Sequence, residues 1–286
     1  MINSLIKILG EAEIGKRRSS LSKTEPKPLE CTFCGKEMKF ILSGEGPFRY
    51  WVAPKRCDCE KAKEYWDEYD EQMSYINKEI EKFKETEAKK LEIERLVDKS
   101  NLGRRFLNRT FSTFKKTKEN ESALKKAYNY AVNFSDFETK GKGLLLTGSV
   151  GTGKTHLVAA IANHLIFEKY IPVKFGNVTT LLGEIKNTYN DEDSKVSEGD
   201  LIHSLSNVRL LIIDDLGKEK CTDWSNNIIY TIINNRYENY KPVIVTTNLS
   251  IADLENNIGD ASVSRLIEMC EGIKMDGFDY RKTKLV

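Results

Sequence analysis

The sequence lacks any apolar stretch close to the roughly eighteen residues that a membrane-spanning helix requires. Its first twenty residues hold only a short apolar run and no small-residue cleavage pattern, so we expect no signal peptide. A formal net charge of +2 over 286 residues excludes nucleic-acid binding through bulk charge. With 40% hydrophobic residues available for a core, these absences predict a globular, cytoplasmic protein with no membrane contact.

The basic residues are instead gathered in short local patches. They lie at 16–18, in "NLGRRFLNR" at 101–109, in "FKKTK" at 114–118 and in "YRKTK" at 280–284. Each patch taken alone fits a solvated surface as well as a set of phosphate contacts. Any binding to DNA must therefore depend on local contacts.

Four of the six cysteines form two close pairs, Cys31 with Cys34 and Cys57 with Cys59, separated by 22 residues. Two short turns that each supply two thiolates satisfy the tetrahedral coordination of Zn²⁺, so the spacing predicts a zinc ribbon. The aromatic and β-branched residues between the pairs, with a central Gly-Glu-Gly-Pro, favour a hairpin. Because the second pair is C-x-C, free thiols or a redox pair remain alternatives.

Residues 61–100 contain neither glycine nor proline, and more than half are charged. Apolar residues from Ala62 to Phe83 recur at alternating steps of four and three, which predicts a long helix with one apolar seam. The seam ends at Glu87. The helix could lie on a neighbouring surface, associate with a second copy or bind a partner protein.

A short apolar strand, "GLLLT" at 143–147, leads directly into "GSVGTGKT" and then into an apolar-periodic helix. This is the P-loop motif in its strand–loop–helix context, in which backbone N–H groups and a lysine bind phosphates and a hydroxyl binds Mg²⁺. No guanine-reading N-K-x-D motif is present, which favours ATP over GTP. The residues expected to bind the nucleotide are Gly148, Ser149, Val150, Gly151, Thr152, Gly153, Lys154, Thr155 and His156.

Two adjacent carboxylates, Asp214 and Asp215, end the apolar run "RLLIIDD". Side by side they repel each other unless a cation lies in front of them. At the carboxyl end of a parallel strand, Asp214 would bind Mg²⁺ opposite Thr155, and Asp215 would orient the attacking water. The next strand, "PVIVTTN", ends on Asn248, which could hydrogen-bond that water or the γ-phosphate.

From about residue 101 onward, the sequence resembles the AAA+ helicase loaders of the DnaC/DnaI type and the related IstB transposition ATPases. The most specific segments are "GSVGTGKTHL", "LLIIDDLGKEK", "YTIINNRYENYKPVIVTTNLS" and "VSRLIEMC". The resemblance implies an α/β fold: an AAA+ parallel sheet flanked by helices, lacking a full helical lid and preceded by a small zinc module and a long helix.

The resemblance also implies roles for individual residues. Asn248 matches sensor 1, Arg281 matches the sensor 2 arginine, and Arg265 matches an arginine presented to the ATP of a neighbouring subunit. Family members bind single-stranded DNA and a hexameric replicative helicase, and the segment 179–207 falls where loaders contact DNA. Ala261 and Ser262 stand where the family usually has its first arginine and an aliphatic residue, so we expect slow ATP hydrolysis.

The sequence therefore predicts three regions: a zinc-binding module (1–60), a charged helix (61–100) and an AAA+ ATPase domain (101–286). We expect an ATPase that uses ATP, Mg²⁺ and Zn²⁺, forms homo-oligomers through the AAA+ domain, and loads a replicative helicase onto single-stranded DNA. Its predicted catalytic residues are Lys154, Asp215, Asn248, Arg265 and Arg281. The alternatives are an IstB-like transposition helper and a nucleotide-dependent adaptor that hydrolyses slowly or not at all.

Overall fold

The computed structural model describes residues 26–43, 49–52, 56–187, 197–218 and 222–282. The chain forms two compact units, Met1–Thr86 and Glu87–Val286. The basic patch at 16–18, the predicted hairpin turn at 44–47, and 188–196 of the predicted DNA-contacting segment lie outside the described residues.

Two short antiparallel hairpins make up the β structure described in the first unit. They consist of β1 (Leu29–Glu30) with β2 (Glu37–Met38) and β3 (Ile41–Ser43) with β4 (Tyr50–Val52). The second hairpin lies between the two cysteine pairs, where the sequence predicts one. The buried centre of this unit is small and includes Cys31, Cys57 and Ala62. So small a core needs a further source of stability.

The predicted long helix is present as α1, Glu60–Ser100. The two units divide inside this helix, between Thr86 and Glu87. Leu96 and Val97, near the end of α1, pack into the core of the second unit. Within the described part of the chain, no helix combines the length and the apolar character that a bilayer-spanning segment needs.

The second unit is built on a parallel five-stranded sheet in the order β6-β7-β8-β5-β9. The strands are β5 (Gly143–Thr147), β6 (Val173–Asn177), β7 (Leu210–Asp214), β8 (Val243–Thr247) and β9 (Cys270–Lys274). Successive residues of β7 alternate between the two cores: Leu210 and Ile212 face one, and Leu211 and Ile213 the other. Burial on both faces explains why these strands are continuous apolar runs.

Helices cover both faces of this sheet. They are α2 (Arg104–Leu107), α3 (Glu121–Val132), α4 (Phe134–Thr139), α5 (Lys154–Lys169), α6 (Val178–Asn187), α7 (Glu198–Asn207), α8 (Asp223–Glu238), α9 (Ile251–Ile258) and α10 (Asp260–Met269). Capping boxes begin α7 and α8 at Ser197 and Thr222. The described residues after β9, 275–282, contain no α-helix. The predicted fold class is confirmed.

A buried arginine ties the sheet together at the end opposite the P-loop. The Arg236 guanidinium is fully buried and donates hydrogen bonds to the carbonyls of Leu205, Ser206, Arg209 and Pro242. It thereby joins the end of α7 to the starts of β7 and β8. The partners of Arg236 are carbonyl dipoles and not a carboxylate, so no charge pair in the sequence predicts these contacts.

Candidate nucleotide site and cysteine cluster

The P-loop connects β5 to α5, as the motif predicts. Gly148 has a φ of 133° and Gly151 has a φ of 81°. A Cβ at Gly148 would overlap the Met275 carbonyl oxygen, and a Cβ at Gly151 would overlap the Asp279 carboxylate. Only glycine fits these two positions, because the segment after β9 packs directly against the loop.

Lys154 begins α5, and its side chain is held at the ends of two strands. Its Nζ donates to the carbonyls of Gly148 and Ser149, both at 2.8 Å, and to Asn248 Oδ1 at 2.6 Å. Burial lowers the pKa of Lys154, while the charges of Asp215 and Asp214 oppose that shift. A partly desolvated cation that carbonyl dipoles hold in place suits the binding of a phosphate.

Asp214, the last residue of β7, is buried and accepts two hydroxyl hydrogen bonds. Thr155 Oγ1 lies 2.9 Å and Thr246 Oγ1 lies 2.6 Å from the same carboxylate oxygen. Burial raises the pKa of Asp214, an effect that these hydrogen bonds counteract. The structure thus brings together the hydroxyl and the carboxylate predicted to hold magnesium, and such hard oxygen donors are the ligands that this ion prefers.

Asp215 has a different environment from its neighbour. Its φ is 54°, in the left-handed region, and its backbone N–H donates to Thr246 Oγ1 at 2.8 Å. Asn248 Nδ2 donates to Asp215 Oδ1 at 3.4 Å. The turn directs the second carboxylate to the amide that also contacts Lys154, so Lys154, Asp215 and Asn248 form one connected group. Strained backbone of this kind often accompanies functional sites.

The side chains of three other residues predicted to bind the nucleotide, Val150, Thr152 and His156, lie in different environments. Thr152 Oγ1 donates to the Ser149 carbonyl at 2.9 Å, which braces the loop, and Val150 is 53% exposed. The His156 ring hydrogen-bonds the Thr110 carbonyl at 3.0 Å, and its side chain therefore anchors the segment before α3.

The two predicted arginines lie on different elements. Arg281 follows β9 and its charge adds to the lowering of the Lys154 pKa, after burial as the main cause. Arg265, on α10, donates to Asn234 on α8 and to the Ala261 carbonyl. Arg281 therefore lies near the P-loop, whereas the hydrogen bonds of Arg265 go to α8 and α10.

A cavity of about 280 Å³ opens beside the P-loop residue Thr152. Its wall is formed by two segments far apart in sequence, the loop before α3 and the segment after β9; the lining residues are Thr117, Glu119, Asn120, Thr152, Met275, Asp276, Gly277, Phe278 and Tyr280. Tyr280 Oη donates to Thr117 Oγ1 at 3.1 Å, and the Tyr280 N–H donates to the Gly151 carbonyl at 3.2 Å. The sequence patterns assigned no role to Thr117 or Tyr280: Thr117 lies in a stretch interpreted as a basic patch, and Tyr280 lies in one interpreted as a basic patch that carries the sensor 2 arginine.

The four clustered cysteines of the first unit converge on one point. Their sulfur atoms all lie within 4.8 Å of one another, with Cys34 and Cys57 at 3.6 Å and Cys31 and Cys59 at 4.0 Å. Four sulfurs at 2.3 Å from a central Zn²⁺ would be about 3.8 Å apart, so the observed spacing fits that ion. Gly35, with a φ of 72°, closes the first turn.

The thiols do not ionise independently. The backbone N–H of Phe33 lowers the pKa of Cys31 to about 7. Although the backbone N–H of Lys36 favours the thiolate of Cys34, hydrogen bonding to the Cys57 thiol raises the pKa of Cys34 to about 12. One thiolate suppresses the next unless a cation is bound between them, and a divalent metal would remove that penalty.

A family model described as IstB-like ATP binding protein matches residues 62–285 of the chain. Among curated relatives, the uncharacterized protein YqaM of Bacillus subtilis is 30% identical over 226 residues, 76% of this chain and 66% of YqaM. The replicative helicase loader DnaC of Escherichia coli is 28% identical over 183 residues, 64% of this chain and 72% of DnaC.

A solved structure of a helicase loader is also similar to this chain. The crystal structure of the DnaC helicase loader is 31% identical in sequence with a TM-score of 0.55, and the match covers 60% of this chain and 99% of that one. The described sheet and its flanking helices are therefore those of an AAA+ domain. The family match begins after Cys59, the last of the four clustered cysteines, so the cluster lies outside it. With 224 of its 286 residues inside the matched region (285 − 62 + 1), the chain belongs to the IstB-like ATP-binding protein family.

Proposed function

We propose that this protein is an ATPase that loads a replicative helicase onto single-stranded DNA. The observation that carries the proposal is the connected group of Lys154, Asp215 and Asn248, next to the Thr155–Asp214 pair, in an AAA+ domain that is similar to a DnaC helicase loader. Three strand ends meet there and supply a phosphate-binding cation, a metal-binding carboxylate and an amide.

The residues of the site divide the reaction between them. Lys154 and the P-loop backbone bind the phosphates, Thr155 and Asp214 hold Mg²⁺, and Asp215 with Asn248 orients the attacking water. When bound, Mg²⁺ neutralises the charge that develops on the phosphate oxygens. Asp215 can accept a proton from water because it is not enclosed by hydroxyl donors, whereas Asp214 accepts two hydroxyl hydrogen bonds.

The first unit would bind the partner helicase and would take no part in binding the nucleotide. Its cysteine cluster and hairpins lie outside the region that the ATP-binding family model matches. We assign the contact with the helicase to this module and the seam of α1. The curated relatives of this chain include replicative helicase loaders, and this favours a loader over a transposition helper.

A nucleotide-dependent adaptor that binds ATP without appreciable turnover is the competing function. Ala261 favours it, because the family usually places an arginine there, four residues before Arg265. An arginine finger contributes about 10³- to 10⁵-fold in rate, so the loss of one of two such groups would slow hydrolysis.

Two substitutions separate binding from hydrolysis. We expect Lys154→Ala to abolish ATP binding, since it removes the cation from the phosphate site. Asp215→Asn should retain ATP affinity and slow hydrolysis by roughly 100-fold, since it removes the carboxylate that orients water. Titration with a fluorescent ATP analogue and release of phosphate measure the two effects. A wild-type hydrolysis rate in Asp215→Asn contradicts the assigned role; no hydrolysis in the wild-type protein supports the adaptor.

The cavity beside Thr152 should hold the nucleoside. We expect Tyr280→Phe and Thr117→Val each to raise the dissociation rate of a fluorescent ADP analogue by about fivefold. That factor corresponds to about 1 kcal/mol, the net free energy of one hydrogen bond such as the one between Tyr280 and Thr117. Because the bond that Tyr280→Phe removes is also removed by Thr117→Val, the double variant should be no worse than Thr117→Val alone. Stopped-flow displacement measures the rate, and Tyr75→Phe, on the exposed surface of α1, is the control. Unchanged rates in both single variants place the nucleoside elsewhere.

DNA binding should be weak, tolerant of sequence and stronger with ATP. Its affinity for single strands should fall with salt at a slope of roughly −0.7 per phosphate contact. Arg104 and Arg105 are exposed on α2, and replacing both with serine should reduce that slope by about 1.4. Fluorescence anisotropy across a salt series tests this, with the exposed pair Lys89 and Lys90 changed to serine as the control. Equal affinity for duplex and single strands is the contrary result.

Purified protein should contain about one zinc per chain. Cys31→Ser or Cys57→Ser should lose the metal and unfold the first unit while ATP binding persists, because the P-loop belongs to the second unit. Cys270→Ser, outside the cluster, is the matched control. Metal analysis and limited proteolysis report the outcome, and metal-free protein prepared without chelators would refute the zinc assignment.

A further inference from the structure

The guanidinium of Arg265 is held by three acceptors of its own chain. Its Nε donates to Asn234 Oδ1 at 2.8 Å, one terminal nitrogen to the Ala261 carbonyl at 3.0 Å, and the other to Tyr230 Oη at 3.3 Å. Its central carbon also lies 5.0 Å above the Tyr230 ring. A long, flexible side chain is thereby fixed in one orientation.

All of these partners are electrically neutral. Among the described residues, no carboxylate lies within the 4.0 Å of an ion pair with Arg265. Glu268, one turn farther along α10, instead accepts a hydrogen bond from Tyr237 Oη at 2.9 Å. The charge of Arg265 is held in place and left without a counter-ion.

Arg209 in the same unit is held differently. Its guanidinium makes a two-pronged ion pair with Glu138, with Nε at 2.7 Å from one carboxylate oxygen and a terminal nitrogen at 2.5 Å from the other. A carboxylate thus neutralises Arg209. Arg236 has neutral acceptors, as Arg265 has, but it is fully buried and closed to a ligand, whereas Arg265 is half-buried. Asn234 is nearly isosteric with aspartate, so a carboxylate at position 234 could accept the same hydrogen bond from Arg265 without any change of shape.

The donor count leaves Arg265 able to bind an anion. A guanidinium has five N–H groups, and the chain uses three of them. One N–H remains on each terminal nitrogen, and the side chain is half-buried. Two free donors on an uncompensated cation suit the oxygens of a phosphate.

We propose that Asn234 and Tyr230 are positioning residues that fix Arg265, with its charge unpaired, to contact the triphosphate of ATP bound to a second copy of this chain. The inference rests on the proposed ATPase function. Neutral partners are essential to it, because a carboxylate in place of the Asn234 amide would hold the same geometry while cancelling the charge that the phosphate needs.

Asn234→Asp distinguishes this role from a purely structural one. A structural link between α8 and α10 would keep or gain stability from the added ion pair, and turnover would be unaffected. The proposal expects an unchanged or higher melting temperature together with a kcat lowered by roughly tenfold in the assembled protein, at unchanged ATP affinity. Asn227→Asp makes the same charge change at an exposed position of α8 and should leave kcat unchanged. Wild-type kcat in Asn234→Asp overturns the inference.

Mixed assemblies separate the inference from the function on which it rests. Lys154→Ala subunits cannot bind ATP but can donate Arg265, whereas Arg265→Ala subunits bind ATP and lack the donor. Mixing the two should restore ATP turnover in the presence of single-stranded DNA, and adding Asn234→Asp to the Lys154→Ala chain should lower the rescued turnover by roughly tenfold. If the first mixture shows no rescue, the role of Arg265 between subunits is wrong and the inference fails with it. If both mixtures rescue equally, only the inference about Asn234 fails.

Discussion

A lysine ammonium at the ends of parallel strands is the feature on which the rest of the site depends. Only 5% of Lys154 is exposed, and two carbonyls and one amide oxygen replace the water that it loses. That arrangement requires β5 and β8 to be neighbours, which the strand order provides. The next strand along, β7, then brings Asp214 and Asp215 close enough to oppose the effect of burial on the Lys154 pKa.

The adjacent acids can coexist because the backbone places them in two environments. Asp214 ends a buried strand and has hydroxyl donors on one oxygen, whereas Asp215 turns into left-handed backbone and points to Asn248. Two hydrogen bonds to threonine hydroxyls do not fully solvate a buried carboxylate, so the pKa of Asp214 remains raised by burial. A bound cation would supply the stabilisation that the two hydrogen bonds do not provide to the Asp214 carboxylate.

Sequence patterns predicted the features that depend on near neighbours in the chain. The apolar runs of β5 and β7, the P-loop and the glycine- and proline-free helix α1 can each be read within a few residues. His156 shows the limit of that reading: it follows Thr155 directly, yet the helix turn carries its ring to the Thr110 carbonyl. Contacts between distant segments, such as Tyr280 with Thr117 and Arg265 with Asn234, leave no periodic signal.

The segment after β9 explains how this AAA+ domain can build a nucleotide site although no helical lid follows β9 among the residues described. Residues 275–280 hydrogen-bond Thr147, Gly151 and Thr117, and they fill the space that side chains at Gly148 and Gly151 would need. Glycine at those two positions therefore serves the packing of this segment as well as the approach of phosphate. A displacement of Tyr280 would reach the P-loop directly, because one backbone hydrogen bond joins it to Gly151. The wall of the cavity beside Thr152 and the conformation of the P-loop are thus properties of a single packed layer.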